Sequence, residues 1–173
     1  MRMVDSGGTI FQGYLDWPQL KTADFDPATQ NWRWYDDETS ETPSVPLGNE
    51  NFAPIDVANF NDIKLRVSVK ERENMSQTNA RFKLQFSEYS TFSTSTDVVN
   101  SGSCTGNSLW CYFDGAGTDN ATVTAKVLSD ADACAAGVGR GCGTHVESTS
   151  TLTGYTQAGS STAEYEFTLQ SAG

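Results

Sequence analysis

The sequence predicts an all-β fold, an antiparallel β-sandwich of jelly-roll or immunoglobulin-like topology. Three observations carry this expectation. Hydrophobic residues recur with a period of two in segment after segment, the spacing of strands with one apolar and one polar face. No stretch carries a convincing amphipathic helical pattern. Hydrophobic residues make up 37% of the 173 positions and charged ones 19%. Both fall below the usual proportions of about 45–50% and about 25%, and Ser, Thr and Asn fill the difference, as turns and solvent-facing strand positions require.

The elements follow in order along the chain. Thr9–Leu15 (TIFQGYL) is a short, β-prone apolar segment. Residues 16–30, with Pro18 and Pro27, read as a connector, so the chain divides into an N-terminal strand and connector (1–30) and a sandwich domain (31–173). Asn31–Asp36 places Trp32 and Trp34 on one side. Residues 37–61 hold Pro43, Pro46 and Pro54 and fit the long crossover of a Greek-key or jelly-roll. Asp62–Lys70 alternates cleanly, with Ile63, Leu65, Val67 and Val69 inward and Lys64, Arg66, Ser68 and Lys70 outward. Arg81–Ser87 sets Phe82, Leu84 and Phe86 against Arg81, Lys83 and Gln85. Leu109–Phe113 and Thr144–Thr151 are weaker strand candidates. Ala121–Leu128 groups Val123, Ala125 and Val127, and Ala163–Leu169 closes the domain with Tyr165, Phe167 and Leu169. Strands of this kind, apolar on one side only, pack in pairs of antiparallel sheets. The expected core is Trp32, Trp34, Leu65, Val67, Phe82, Leu84, Phe86, Tyr165, Phe167 and Leu169.

Four cysteines, Cys104, Cys111, Cys134 and Cys142, lie in Gly/Ser/Ala-rich text in the second half. There is no C-x-x-C pair and only one histidine, which disfavours a Cys/His zinc set. Disulfides are expected, with Cys104–Cys111 and Cys134–Cys142 favoured because each closes a short loop. Oxidised cysteines imply an extracellular, cell-surface or otherwise oxidising location, with a virion as the alternative. The opening residues lack the apolar core of a signal peptide, and no run approaches the roughly 18 residues of a membrane span.

The formal net charge is −11, which disfavours nucleic acid and anionic membranes as partners. No nucleophile-elbow, zincin, P-loop or dinucleotide-binding motif occurs, so no catalytic residue is assigned. His145 reads as a solvated strand histidine, with no serine and carboxylate spaced to join it in a triad. Carboxylate pairs at Asp24 and Asp26, Asp36 to Glu38, Asp114 and Asp119, and Asp130 and Asp132 are of the kind calcium accepts, but without EF-hand spacing they read first as solvated turns. Trp17, Trp32, Trp34, Tyr35, Trp110 and Tyr112 are candidates for a glycan-stacking platform, though period-two aromatics more often fill a core.

Charge is segregated. Asp24 to Glu50 holds seven acids against one base, and Lys64 to Lys83 holds six bases. Five of these bases, Lys64, Arg66, Lys70, Arg81 and Lys83, fall on outward positions and would form a stripe suited to an acidic neighbouring surface. The segment holding Thr9, Ile10, Phe11, Tyr14 and Leu15 either pairs within its own domain or is donated as a strand to another subunit, and with Lys64, Arg66, Arg81 and Lys83 it makes up the expected assembly interface.

The segments NWRWYDDETSETPSVPLGNEN, DIKLRVSVKE, ARFKLQFSE and GYTQAGSSTAEYEFTLQSAG, taken in this order, resemble a β-sandwich module that recurs in large secreted and surface proteins of uncultured bacteria. The resemblance spans residues 31–173. It implies a scaffold or adhesion role and transfers no catalytic residue. Such modules continue through one more strand, so the resemblance also implies a sheet edge or an apolar groove left uncovered. The function expected is that of an extracellular structural protein, a subunit or module of a surface fibre, appendage or surface layer that associates with copies of itself or neighbouring domains. A carbohydrate-binding adhesin module and a virion decoration or fibre protein are the alternatives. No cofactor is expected.

Overall fold

The computed structural model describes residues 24–40, 42–100, 110–130, 132, 134, 142–148 and 155–171. The expected strand Thr9–Leu15, with Trp17 and Cys104, lies outside these residues. The described chain is all-β and contains eight strands. They are β1 (Pro27–Asp36), β2 (Asp62–Glu71), β3 (Gln85–Phe86), β4 (Thr96–Asp97), β5 (Trp110–Tyr112), β6 (Thr122–Val123), β7 (Gly143–Val146) and β8 (Thr162–Ser171).

The principal sheet runs β1-β2-β8-β7-β6, with β5 also paired to β8, and β3 and β4 form a separate hairpin. β1 starts at Pro27, four residues ahead of the boundary read from the sequence, and its register slips between Thr29 and Trp32. The pairing of β7 with β8 is parallel, in register His145↔Glu166 and Val146↔Phe167. The sheet is therefore mixed, where a purely antiparallel one was expected. One side of β8 receives the middle of the chain at two points, β5 antiparallel near its C-terminal end and β7 parallel at its centre.

β8 is consequently interior, with β2 along one side and β5 and β7 along the other. Among the described residues β8 therefore has no open sheet edge. The outer side of β1 is also lined: Asp36 N–H donates to Val45 O, Leu47 N–H to Trp34 O and Asn51 N–H to Trp32 O, so the 37–61 crossover folds back along it.

One face of the sheet is apolar. Val69, Tyr112, Val146, Tyr155, Ala163, Tyr165, Phe167 and Leu169 are buried there, and Trp34, Leu65, Val67, Phe82, Leu84, Phe86 and Trp110 pack against them. All of the expected core residues except Trp32 join this cluster. Two of the buried hydroxyls have local partners, while the Tyr155 hydroxyl is buried without a hydrogen-bond partner among the described residues. Tyr165 OH donates to Gln157 Oε1 at 2.9 Å, and Gln157 Nε2 donates to Val69 O at 2.9 Å. Leu84 N–H donates to Tyr112 OH at 2.9 Å. Burial pushes the Tyr155 hydroxyl up to about 12.

Some expected strands are shorter than the alternation suggests. Within Arg81–Ser87 only Gln85–Phe86 is strand, although exposed and partly buried side chains alternate from Arg81 to Phe86. Within Ala121–Leu128 only Thr122–Val123 is strand, and Ala125 is exposed. There the backbone is diverted: Val127 and Leu128 turn their N–H groups to the Glu164 carboxylate rather than to a neighbouring strand.

A buried ionic layer as the candidate functional site

The period-two pattern of β2 and β8 puts charge on the second face of the sheet. Cross-strand partners are Leu65↔Phe167 and Val67↔Tyr165 on the apolar side. On the other side Lys64 faces Thr168, Arg66 faces Glu166 and Ser68 faces Glu164. β7, running parallel, adds His145 beside Glu166. Alternation of this kind ordinarily marks a face in water. Here Lys64, Arg66, Ser68, His145, Glu164, Glu166 and Thr168 are all 0% exposed.

The cover is the Gly- and Asp-rich stretch from residue 113 onward. Phe113 N–H donates to Thr168 O, Ala116 N–H to Asp37 Oδ2 at 2.8 Å, and Asn120 N–H to His145 O. Two glycines let this backbone lie flat on the charged groups. A Cβ at Gly115 would stand 2.6 Å from Asp37 Oδ2, and one at Gly117 would stand 2.6 Å from His145 Nε2. At Gly143 a Cβ would fall on the Glu164 carbonyl, so β7 reaches β8 only through glycine.

Within the layer the charges are matched. Arg66 Nε lies 3.1 Å from Glu166 Oε2 and 3.6 Å from Glu164 Oε2. Lys64 Nζ lies 3.6 Å from Glu166 Oε1 and 3.8 Å from Asp37 Oδ1, and it donates to Glu38 O. His145 Nδ1 is 2.9 Å from Glu166 Oε1, and its Nε2 is 3.2 Å from Thr168 Oγ1 and 3.1 Å from Glu147 Oε1. Ions stripped of water at this depth are tolerable only when paired and hydrogen-bonded. Burial alone would push the Glu166 carboxyl up. The His145 hydrogen bond and the charges of Arg66, His145 and Lys64 outweigh it and hold Glu166 below the ordinary carboxylate range. For Glu164 burial prevails over the Leu128 and Val127 amides and Arg66, so its carboxyl is raised.

These positions correct two expectations. Lys64 and Arg66 are not on a surface stripe, because the middle of the chain folds over them. Arg81 and Lys83 are exposed as expected, and Lys83 is held by Asp97 at 2.6 Å. The acidic stretch meets the basic one within the same chain, through Asp37 with Lys64 and through Asp26 with Arg72 at 2.8 Å. His145 is not solvated. A hydroxyl and a carboxylate flank it with the order of a Thr–His–Glu relay, but Gly117 lies against the imidazole edge a substrate would have to reach. The signal available in the sequence was the complementarity of K-L-R in β2 with E-Y-E in β8, whose charges share one face once those strands pair.

The remaining candidates are placed as follows. Cys134 and Cys142 form a disulfide with Cα atoms 5.2 Å apart. Cys111 is also disulfide-bonded, and its expected partner Cys104 lies outside the described residues. Trp34 and Trp110 stack at 5.9 Å between centroids and pack against the core. Among the described residues no three His, Cys, Asp or Glu side chains group as a metal set. Several of the carboxylates singled out for calcium are engaged by the chain itself: Asp130 with Lys126, Asp132 with Lys70 at 2.7 Å, and Asp119 with the Glu147 amide at 2.8 Å. No helix among the described residues is long and apolar enough to cross a membrane.

Compared with known proteins, the chain matches no family model, no curated sequence and no solved structure.

Proposed function

We propose that this chain is an extracellular structural protein, a sandwich-like module that associates with copies of itself in a surface fibre, appendage or layer. The observation that carries the reading is the apolar surface of the β1–β2 crossover. Phe52 is 66% exposed, Ile55 82% and Phe60 63%. Phe60 also holds a left-handed backbone, with φ 63°, a conformation that costs energy for a bulky side chain. Single exposed apolar residues are ordinary, but several within one short segment suggest a contact surface. The Cys134–Cys142 disulfide and the closed ionic layer support a hard-wearing protein rather than one that opens to a substrate. The resemblance to bacterial surface modules points the same way.

The test is assembly. Sedimentation velocity and electron microscopy of the full-length chain should show concentration-dependent association, and a Phe52→Ser/Ile55→Ser variant should remain monomeric with an unchanged melting temperature. A wild-type chain that stays monomeric at high concentration would remove the proposal. The half-buried Trp34–Trp110 stack favours a second reading, a carbohydrate-binding module. Saturable binding on a glycan array, lost in Trp110→Ala, would select it.

A further inference from the structure

We propose that the ionic layer contains the site of an intramolecular isopeptide bond, formed between Lys64 Nζ and Asp37 Cγ with Glu166 relaying protons. The inference rests on the geometry of these three groups and is independent of any reading of what the chain assembles into. Lys64 is wholly enclosed, and its amine sits between two carboxylates, 3.8 Å from Asp37 Oδ1 and 3.6 Å from Glu166 Oε1. The Asp37 carboxyl is polarised unevenly. Oδ2 accepts the Ala116 amide at 2.8 Å, whereas Oδ1, on the Lys64 side, is buried without a hydrogen-bond partner. One oxygen is thus held by a backbone N–H, the arrangement that stabilises charge developing on a carbonyl oxygen. The other is free to leave. β1 and β2 pair up to Tyr35↔Lys64 and Asp36↔Ile63, which places Asp37 just past the last pair, two residues beyond the partner of the lysine.

The step balances without an external reagent. The Lys64 ammonium passes a proton to Glu166, whose Oε1 lies 3.6 Å from Nζ. Glu166 hands that proton on to Asp37 Oδ1, and the neutral amine attacks Cγ of the neutral carboxyl while the Ala116 amide holds Oδ2. A second proton from Nζ then reaches Oδ1. Oδ1 departs as water, the third N–H remains on the amide, and the paired charges of Lys64 and Asp37 vanish together. Enclosure favours this outcome, because an ion pair loses its hydration there while a neutral amide does not need it. Proximity supplies the rest, since the reacting groups are held by packed strands rather than meeting from solution.

Mass spectrometry of the full-length, reduced and alkylated protein decides the matter. The expected mass is about 18 Da below that of the sequence with its four cysteines alkylated, one water lost in forming the bond. Tandem spectra should contain a branched peptide joining the Asp37 and Lys64 segments. Asp37→Ala should restore the full mass, and Glu166→Gln should leave most of the chain unlinked. A reduced wild-type protein at the full sequence mass overturns the proposal, as does a water loss mapped to any other pair. The wild-type measurement stands on its own even if a variant fails to fold.

Discussion

Replacing Arg66 by Met tests the ionic layer directly. Met is close in length to the arginine stem and removes the charge without leaving a large void. The guanidinium is fully enclosed and lies against both Glu164 and Glu166, at 3.6 and 3.1 Å. Its loss leaves two buried carboxylates with only Lys64, His145 and backbone amides to answer them. Removing one partner of a buried ionic set typically costs about 3–5 kcal/mol, because the other is stranded without water. For a chain of this length each kcal/mol moves the melting temperature by about 2–4 °C, so a fall of roughly 10 °C is expected. Calorimetry is the assay, with Arg81→Met as the exposed control. Adding Glu166→Gln to Arg66→Met should recover part of the loss, since the stranded charge goes too. If Arg66→Met melts where Arg81→Met does, Arg66 is not enclosed and the layer as described is wrong.

Glu71 gives a second expectation. It is buried, and it accepts the backbone N–H groups of Ser160 at 2.7 Å, Glu73 at 2.9 Å and Met75 at 3.0 Å. Burial would raise its carboxyl, but these amides and that of Asp26 outweigh it and hold it below the ordinary range. A carboxyl lowered in the folded state stabilises the fold above its unfolded value of about 4.3, and that stability is lost as pH falls through the folded value. Glu166 acts in the same direction and Glu164, being raised, in the opposite one. Glu71→Gln should therefore flatten the acid limb of a stability-against-pH curve, and an unchanged limb would show that Glu71 is not held by those amides. Glu71→Ala, which orphans the same donors, should cost at least about 2 kcal/mol in denaturant unfolding. Replacing Cys134 and Cys142 by Ser should cost about 2–3 kcal/mol, the loop-closure entropy of a short bridge, with no loss of strand content by circular dichroism. Phe167→Ala, at the centre of the apolar face, should cost about 3–5 kcal/mol, and no change in melting temperature would place that residue outside the core.

The apolar half of the fold was legible because hydrophobic alternation is local. Leu65, Val67, Phe82, Leu84, Tyr165, Phe167 and Leu169 announce their side of the sheet from sequence alone, and each packs there. Tyr112, Val146 and Tyr155 complete the cluster but sit in segments too short or too mixed to show a period. Their inclusion depends on where the chain returns, which local spacing does not encode. Trp32 departs for a nearby reason. The register slip between Thr29 and Trp32, and the bond from Trp32 N–H to Asn51 Oδ1, draw it toward the crossover.

The polar half was misread for a physical reason. Alternation reports that one face is not apolar, and it does not report whether that face is wet. A strand covered on both sides is usually recognised by a continuous apolar run. β8 is covered on both sides and yet alternates, since its second cover is a Gly- and Asp-rich backbone that offers amides and carboxylates instead of methyl groups. Against such a cover Lys64, Arg66, Glu164 and Glu166 are compatible with burial, provided that the two strands present opposite charges in register, as Arg66↔Glu166 does. The same condition constrains the fold. A one-residue slip of β8 against β2 would bring Tyr165 and Phe167 onto the ionic face and leave Arg66 without its carboxylates. Apolar burial on one face and charge pairing on the other thus specify a single register, and the second does so through the enclosed charges that make this face unlike an ordinary core.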